Sequence, residues 1–517
     1  MTIRDFVRSR LASAFVTTTL IVAGILTTDY NATGTTLSLS PQDNIQQAVD
    51  VSPPGTVFLL RPGIYRDATV TSLKDGDAFI GQSGAIMDGA RQLTGWTRVA
   101  IQGSYYWTIA GGVPLNTPKC GVPHCCLAGY PRCIYVQNLY VDGIDYRHVS
   151  SLTDVVAGTW YYDFDGTDGG LPNNIYMALR EEPNSHTVEL GHERYAFEGQ
   201  ASSITIKNLV IEKYSAPIQS AAIQVEGSSW LIQNNEIRLN HGFGIKAKPG
   251  GNYIRVLGNR VHHNGQMGIG TGRVDGGMWD SNEVAYNNID GVNPDFEAGG
   301  SKFVGDYITI RNNVVHDNYG TGLWTDEGAI YNTYDHNTCY RNSGGGIRYE
   351  ISRYGIIENN TVYANRKDAQ IVYTGSDHGR ITGNKVVNDG AGGIFVQNIV
   401  GVRPRVTIYK VIDTQVTGNM VLILNPVTIA AGMLDFARPA QPEVFSDPTN
   451  LFDYNIYKIA SEPQAASLLP PTPSWFWGEN QGRGPRRVTW HEWRVSGHDT
   501  NGSLVTSSAK SSFLAHD

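Results

Sequence analysis

Apolar positions recur along most of the chain at a fixed distance behind an asparagine. Eight asparagines, spaced by 24, 23, 31, 24, 23, 24 and 35 residues, each stand two positions before an apolar residue: Asn235, Asn259, Asn282, Asn313, Asn337, Asn360, Asn384 and Asn419. A second ladder stands five residues further along, at Asn240, Asn264, Asn287, Asn318, Asn342 and Asn365, followed by Asp389. Short strand signals alternate with Asn and Gly turns, without helical periodicity, so this period indicates a solenoid.

The repeat unit predicts one coil of a parallel β-helix, and the fold class is therefore all-β. Asparagine tolerates left-handed turn geometry, and its amide can bond to the asparagine of the next coil. Parallel crossovers favour a right-handed coil. We therefore expect the first ladder to form one line along the solenoid, with Cys339 buried inside the coil.

The ends of the solenoid need covers, because exposed strand edges would pair with other chains. Residues 40–50 predict an N-terminal capping helix, with Ser40 as its cap. The repeat is absent between residues 116 and 200, where short strand signals predict an inserted small β subdomain. The predicted organisation is a signal peptide or signal anchor (1–32), an N-terminal cap with the first coils (33–115), the inserted subdomain with a Cys-rich loop (116–200), the β-helix core (201–425), and a C-terminal coil and cap (426–517).

Composition and the N-terminal sequence indicate which partners and which cellular compartment to expect. The net charge of the 517 residues is −8 and the basic stretches are short, which argues against a nucleic-acid partner. Arg4, Arg8 and Arg10 precede a mostly apolar run over 11–26, typical of an export signal. This signal is either cleaved or retained as an anchor, and no later segment is apolar enough to span a membrane. We therefore expect a secreted protein, extracellular or periplasmic.

Four of the five cysteines fall in one short window, which agrees with export. They are disulfide candidates that would pin a loop with little core of its own: Cys120, Cys125, Cys126 and Cys133. An adjacent pair such as Cys125 and Cys126 is strained as a disulfide, so we expect each to bond elsewhere. A zinc site with His124 is the alternative, although the paired C-x2-C spacing is missing.

Several stretches resemble one family. The entry IQQAVDVSPPGTVFLLRPGIY, the inserted YVDGIDY and GTWYYDF, and the repeats NNVVHDNYGTGLWTDEG and IRYEIS resemble secreted bacterial right-handed parallel β-helix repeat proteins of the pectate-lyase-like superfold. The resemblance implies the fold and a polysaccharide or glycan partner. It implies no specific reaction, because neither the D-P-H-[DE] motif of the mannuronan epimerases nor the N-T-D motif of the polygalacturonases is present; the nearest string to the former runs from Asn293 to Phe296.

Register arithmetic predicts a functional face on the third strand of each coil. Positions 11 and 13 residues after each first-ladder asparagine should point outward. They include three carboxylates on neighbouring rungs, which we interpret as an acid/base cluster: Asp295, Asp326 and Glu350. Trp324 and Tyr373 offer faces for sugar rings. Lys302 and Arg348 suit anionic parts of the substrate, and Glu297 lies in extra residues that would wall a groove.

Three functions fit this face. Paired carboxylates favour glycoside hydrolysis, with a separation that decides the stereochemistry. A polysaccharide lyase is the second, in which the carboxylates hold Ca²⁺ as the one candidate cofactor. The third is a non-catalytic glycan-binding or cell-surface structural protein, whose acidic rung serves only solubility or a structural ion. His262 and His316 share an outward position on another strand, and we interpret them as surface polar residues.

Overall fold

A computed structural model of the chain describes residues 35–110, 125–389, 391–403, 406–424, 428–460, 473–479 and 485–507. The predicted signal segment, residues 1–32, and Cys120 lie outside the described residues. No helix in the described part of the chain is long and apolar enough to cross a membrane.

The described residues form a parallel β-helix in which each coil contributes one strand to each of three faces. Sheet A comprises Thr36–Leu39, Val57–Leu60, Ala78–Gly81, Thr205–Lys207, Leu231–Gln233, Ile254–Leu257, Val274–Asp280, Gly305–Arg311, Thr333–Asp335, Ile356–Glu358, Arg380–Thr382, Gln415–Thr417 and Leu451–Asp453. Sheet B comprises Gly63–Arg66, Ala85–Asp88, Val210–Glu212, Glu236–Arg238, Arg260–His262, Glu283–Ala285, Val314–His316, Thr338–Tyr340, Thr361–Tyr363, Lys385–Asn388, Met420–Ile423, Ile456–Ala460 and Ser503–Ser507.

The third face is split into two sheets. Sheet C1 comprises Phe197–Gly199, Ala221–Val225, Phe243–Ala247, Met267–Thr271 and Gly299–Lys302. Sheet C2 comprises Leu323–Thr325, Ile347–Glu350, Ala369–Thr374, Gly392–Asn398, Ile429–Asp435, Ser474–Glu479 and Pro485–Val488. Isolated parallel bridges from Gly299 to Thr321 and from Phe303 to Thr325 continue the register from one sheet to the other.

Both asparagine ladders are confirmed. Along the first ladder each Nδ2 donates to the Oδ1 of the next asparagine at 2.9–3.1 Å, from Asn235 to Asn419. The line continues through Asn455 to Asp499, beyond the predicted end of the repeat. The second ladder runs from Asn240 to Asn365 at 2.9–3.0 Å.

The predicted extension of the second ladder to Asp389 is wrong. The Asn365 amide donates instead to Oε1 of Gln370 at 2.7 Å, because Gln370 in the same coil already fills the acceptor position. Asp389 accepts from the backbone N–H of Ala364. Cys339 is a free thiol buried in the coil, as predicted.

Short helices lie near the two ends. The N-terminal helix is Ile45–Val51, and its cap is Asn44, which accepts from the N–H of Gln47 at 2.9 Å. Ser40, the predicted cap, instead lies in a turn and bonds Asp43. A second helix, Trp490–Val495, buries Trp493, and single 3-10 turns are formed by Leu152–Asp154, Pro183–Ser185, Pro294–Phe296 and Pro442–Phe445.

The inserted subdomain is a mixed sheet of eight described strands. In spatial order they are Ala90–Gln92, Val188–Gly191, Leu139–Val141, Ile144–His148, Thr159–Asp163, Asn174–Met177, Ser104–Ala110 and Thr97–Ile101. The sheet therefore begins at Ala90, upstream of the sequence boundary at residue 116, because the hairpin over Thr97–Ile101 and Ser104–Ala110 pairs into it rather than into the first coils.

The Cys-rich loop is docked on the β-helix. Cys126 and Cys133 form a disulfide, and Cys125 is also disulfide-bonded, so the two adjacent cysteines do not pair with each other and the thiolates of a zinc site are not available. The N–H of Leu127 donates to the carbonyl of Gly291 at 2.8 Å, and that of Asn293 donates to the carbonyl of Cys125 at 2.6 Å. The loop thereby contacts the long coil after Asn287.

A candidate active-site groove on the third face

A groove lies over sheet C2, with a cavity of about 320 Å³. One wall includes Pro294 and Asp295, from the long turn between Asn287 and Gly299 in the 31-residue coil. The floor carries an outward column of side chains on successive rungs, Lys302, Trp324 and Arg348, fixed by the pairings of Phe303 with Thr325 and of Trp324 with Arg348. Residues lining the cavity are Pro294, Asp295, Gly320, Thr321, Trp324, Ser343, Gly344, Arg348, Glu350, Lys367, Asp368, Gln397 and Arg403.

Asp326 and Glu350 lie on adjacent rungs, as the register predicted. Each follows the paired residues Thr325 and Tyr349, which places the two backbone positions on neighbouring strands, about 4.8 Å apart along the solenoid axis. Both are buried, with 5% of Asp326 and none of Glu350 exposed. Their surroundings nevertheless differ in charge.

The environment raises the pKa of Asp326. Burial is the largest cause, and the neighbouring Glu350 carboxylate adds to it, while the Lys302 ammonium at 2.8 Å opposes both. The environment lowers the pKa of Glu350. Burial alone would raise it, but Arg348 at 2.8 Å and Arg403 at 2.6 Å outweigh that cost. The pair therefore separates into a carboxyl that holds a proton more readily and a carboxylate that stays ionised.

The Lys302 ammonium is surrounded by carboxylates. Its ammonium contacts Glu297 at 2.6 Å and Asp326 at 2.8 Å, with Glu327 at 3.7 Å. Only 6% of the Lys302 side chain is exposed, so this cation pairs with two carboxylates away from solvent. Glu297, Lys302 and Asp326 lie beside the residues that line the cavity and not among them, so the role of Glu297 as a wall of the groove stays a prediction.

Trp324 is a structural neighbour of the carboxyl pair. Its indole N–H donates to Oε2 of Glu350 at 3.1 Å, and Lys302 Nζ lies 4.5 Å from the ring centroid. With 8% of its surface exposed, the ring borders the cavity by an edge. Its role as a sugar platform stays a prediction.

The predicted place of Asp295 is wrong. The strand of its coil is Gly299–Lys302, so Asp295 lies in the wall before the strand and not on the rung above Asp326. Its side chain is 73% exposed and pairs with Lys367 at 2.7 Å. Asp295 lines the cavity but is not part of the buried carboxyl pair.

The outward orientation predicted for Tyr373 is also wrong. Tyr373 pairs with Tyr349, is fully buried, and stacks on that ring at 5.0 Å inside the coil. Six residues separate Asn365 from strand residue Ile371, but only five separate Asn342 from Ile347. This single extra residue reverses the inward and outward faces relative to the predicted register.

Several charged residues in or beside the groove were not among the predicted site residues. Arg403 comes from the long loop after Gly392–Asn398 and reaches back to Glu350, and Asp368 binds Arg348 at 3.1 Å. Lys246 lies on the Lys302 column, one rung beyond Gly270, and burial lowers its pKa to about 8. Of these, only Lys246 carried a usable signal, because its outward register was predictable.

Two other sequence candidates lie elsewhere. His262 and His316 do share a register on sheet B, through Ala285, and they bond Glu236 at 3.1 Å and Glu283 at 3.2 Å respectively. A metal ion needs several ligand atoms close together. Within the described residues, one group of three His, Cys, Asp or Glu side chains has its ligand atoms within 4.8 Å of one another: Asp67, His192 and Glu193. None of the three lines the groove. The groove carboxylates are instead neutralised by Lys302, Arg348 and Arg403.

Comparisons with known proteins identify the fold. A sequence model described as a right-handed β-helix region matches residues 194–325 and 278–421. A solved structure of XylC in complex with xylose has a TM-score of 0.54 at 13% identity, covering 80% of each chain. The A-module of the mannuronan C-5 epimerase AlgE6 from Azotobacter vinelandii has a TM-score of 0.50 at 13% identity, covering 90% of this chain and 94% of that one.

No curated protein matches the chain in sequence. The identities are low, and the structural likeness therefore bears on the fold and not on a reaction. The chain is a right-handed parallel β-helix.

Proposed function

We propose that this protein is a secreted carbohydrate-active enzyme that hydrolyses glycosidic bonds with Asp326 and Glu350. One observation carries the proposal: two buried carboxyl groups lie on adjacent rungs, and their different cationic partners displace their pKa values in opposite directions. Such divergence is how one site supplies a proton donor and an anion at the same pH. The two neighbours described above are a protein bound to xylose and a module of a mannuronan epimerase, which supports a carbohydrate as the substrate class.

The spacing favours retention of configuration. Retaining enzymes hold their carboxyl groups about 5–5.5 Å apart, a separation that side chains on adjacent rungs can adopt, whereas inverting enzymes leave room for a water. Asp326 would donate its proton to the leaving oxygen while Glu350 attacks the anomeric carbon and forms a glycosyl ester. Asp326, now ionised, would then take a proton from water, which displaces Glu350 and restores both groups.

Arg403 pairs with the Glu350 carboxylate in the free protein and could release it when a substrate binds. Its side chain is 46% exposed and bonds only one edge of the carboxylate, Oε1. Trp324 and Nε of Arg348 hold Oε2, and Nη2 of Arg348 also donates to Oε1 at 3.2 Å. A substrate entering from the Arg403 side would displace the exposed arginine and meet Oε1, while the other contacts keep the carboxylate in place.

A polysaccharide lyase is the second candidate, because Lys246 has a pKa of about 8 and lies on the cationic column. A base of that pKa could remove the proton next to a uronate carboxylate, which Lys302 and Arg348 would neutralise. Calcium is the cofactor this alternative was predicted to use. A non-catalytic glycan-binding protein is the third, in which the groove only holds its ligand.

A panel of neutral and uronate polysaccharides, with aryl glycosides, distinguishes these functions. Hydrolysis releases reducing ends without near-ultraviolet absorbance, whereas a lyase product absorbs through its new double bond. Proton NMR of the first product formed reports the anomeric configuration, and we expect it to match the substrate. Unchanged substrate that is nevertheless bound would support the third function.

Removing the Lys302 charge should move the pH profile of turnover upward. Lys302 stabilises ionised Asp326, so Lys302→Met raises the Asp326 pKa further, and the acid stays protonated to higher pH. We expect the pH at which kcat declines on the alkaline side to increase by about one unit. Lys385→Met on sheet B serves as the control and should leave this pH unchanged. If the pH of this alkaline decline is unchanged or lower in Lys302→Met, the assignment of Asp326 as the acid is wrong.

Export remains part of the proposal. The Cys126–Cys133 disulfide is typical of an oxidising compartment. The N-terminal signal that would direct secretion is residues 1–32.

A further inference from the structure

A second cavity, of about 380 Å³, lies between the inserted sheet and the β-helix. The inserted strand Ile144–His148 supplies Asp145 and His148, and the long coil supplies Asp290. Tyr130, from the Cys-rich loop, lines another side. The catalytic proposal uses none of these residues.

Two carboxyl groups converge on one amide in this cavity. Asn138 Nδ2 donates to Oδ1 of Asp290 at 2.8 Å and to Oδ1 of Asp145 at 3.2 Å. The Asp290 side chain is 10% exposed, and its buried Oδ2 has no hydrogen-bond partner, although Nε2 of His241 lies 3.7 Å away. A buried carboxylate oxygen without a hydrogen bond is costly, so the carboxyl pair lacks a donor that a ligand hydroxyl could supply.

The opposite wall is aromatic. The His148 ring stacks on Trp160, with centroids 3.8 Å apart, and its buried Nδ1 has no partner. Its Nε2 contacts the Arg132 guanidinium at 2.9 Å, and Arg132 also donates to the carbonyl of Tyr162. The cavity therefore offers ring surfaces on one side and polar atoms on the other, as small-molecule sites do.

The Cys-rich loop holds this site in shape. The Cys126–Cys133 disulfide brackets Tyr130, and the loop is bonded to Gly291, the residue after Asp290. The carbonyl of Cys133 also contacts Nε2 of His241, which lines the cavity. A preorganised cavity of this kind loses less entropy when it binds a ligand.

We propose that this cavity binds one neutral sugar residue, apart from the catalytic groove. A pyranose has hydroxyl groups that both donate and accept, which suits the carboxyl pair and the free nitrogen of His148, and a C–H face that suits the aromatic wall. The guanidiniums of Arg132 and Arg147 in the lining oppose the charge of the carboxyl pair. A metal ion fits less well, because the Asn138 N–H2 occupies the position between the carboxylates.

The protonation of the pair agrees with this geometry. Burial raises the pKa of Asp290 to about 7 and, with the charge of Asp290, holds that of Asp145 well above its usual range. One group can therefore donate to a sugar oxygen while the other accepts from a hydroxyl near neutral pH.

Ligand-observed NMR and calorimetry with methyl glycosides of common neutral hexoses and pentoses test the site. We expect wild-type protein to bind at least one of them at millimolar concentration or below. Asp290→Asn should weaken that binding at least about tenfold. Ala157→Phe should do the same by filling the cavity mouth from an exposed lining position, and so tests the site without altering a buried charge. Glu181→Gln, whose carboxylate is 72% exposed on the same subdomain, is the matched control.

The outcomes separate this site from the groove. Binding that survives Asp326→Asn but is lost in Ala157→Phe supports the proposal, whether or not the groove proves catalytic. Binding retained in Ala157→Phe overturns it, as does a panel in which no glycoside binds. Calcium binding that depends on Asp145 and Asp290, without sugar binding, would also overturn it in favour of a cation site.

Discussion

Asp326→Asn should lower turnover at least about a hundredfold, the usual contribution of general acid catalysis. The amide keeps the shape of the side chain but cannot give a proton to the leaving oxygen. Lys302 retains Glu297 as a partner at 2.6 Å, so the free energy of unfolding should fall by only about 1–2 kcal/mol. Steady-state kinetics on the substrate found in the panel, with thermal unfolding of the same samples, measure both effects.

Glu350→Gln should lose turnover to a similar extent but with a larger loss of stability. Arg348 and Arg403 then face a neutral amide, and breaking a buried ion pair costs up to about 3–5 kcal/mol, less here because Arg403 is half exposed. Activity must therefore be expressed per folded molecule. With an aryl glycoside, added azide should restore turnover in both Glu350→Ala and Asp326→Ala: it replaces the nucleophile in the first and gives a glycosyl azide of inverted configuration, whereas in the second it displaces Glu350 from the glycosyl ester and gives the retained configuration.

Glu358→Gln is the control for both variants. Glu358 lies on sheet A, on the strand Ile356–Glu358, and not in the groove lining. Full activity in Asp326→Asn and Glu350→Gln would place the active site elsewhere. An inverted glycosyl azide from Asp326→Ala with a retained one from Glu350→Ala would keep the pair but exchange the two roles.

The repeat was readable from sequence because its strongest constraint is periodic. A buried asparagine at a turn bonds the equivalent asparagines of the coils above and below. The spacing of Asn313, Asn337 and Asn360 along the sequence therefore gives the length of each coil. The same arithmetic placed Asp326 and Glu350 on adjacent rungs. It worked there because the turn from Asn318 to Leu323 and that from Asn342 to Ile347 have equal length.

The arithmetic failed where turn lengths change. One extra residue before Ile371 turned Tyr373 inward, and the long turn before Gly299 carried Asp295 off its rung. Arg403 could not have been found by this route, since a long loop returns it to Glu350 across 53 residues. Loop paths depend on tertiary contacts that no local period encodes.

The first ladder should be the most sensitive part of the fold, and Asn337→Ala tests it. The Asn337 amide donates to Ile310 and Asn360, and its Oδ1 accepts from the N–H and the Nδ2 of Asn313, at 2.9–3.0 Å. Alanine leaves several of these buried groups without partners, each costing about 1–3 kcal/mol. We expect the free energy of unfolding to fall by at least about 3 kcal/mol in urea titrations.

Asn359→Gly is the matched control, one residue from the ladder. Asn359 is exposed at a turn with φ of 57°, a conformation that glycine adopts without strain, and its amide bonds only Asp335 at 3.1 Å. This variant should lose less than about 1 kcal/mol. Equal losses in the two variants would show that any turn asparagine contributes alike. A small loss in Asn337→Ala would mean that water or relaxation of the coil satisfies the ladder, and the periodic asparagines would then reflect turn geometry rather than stacking energy.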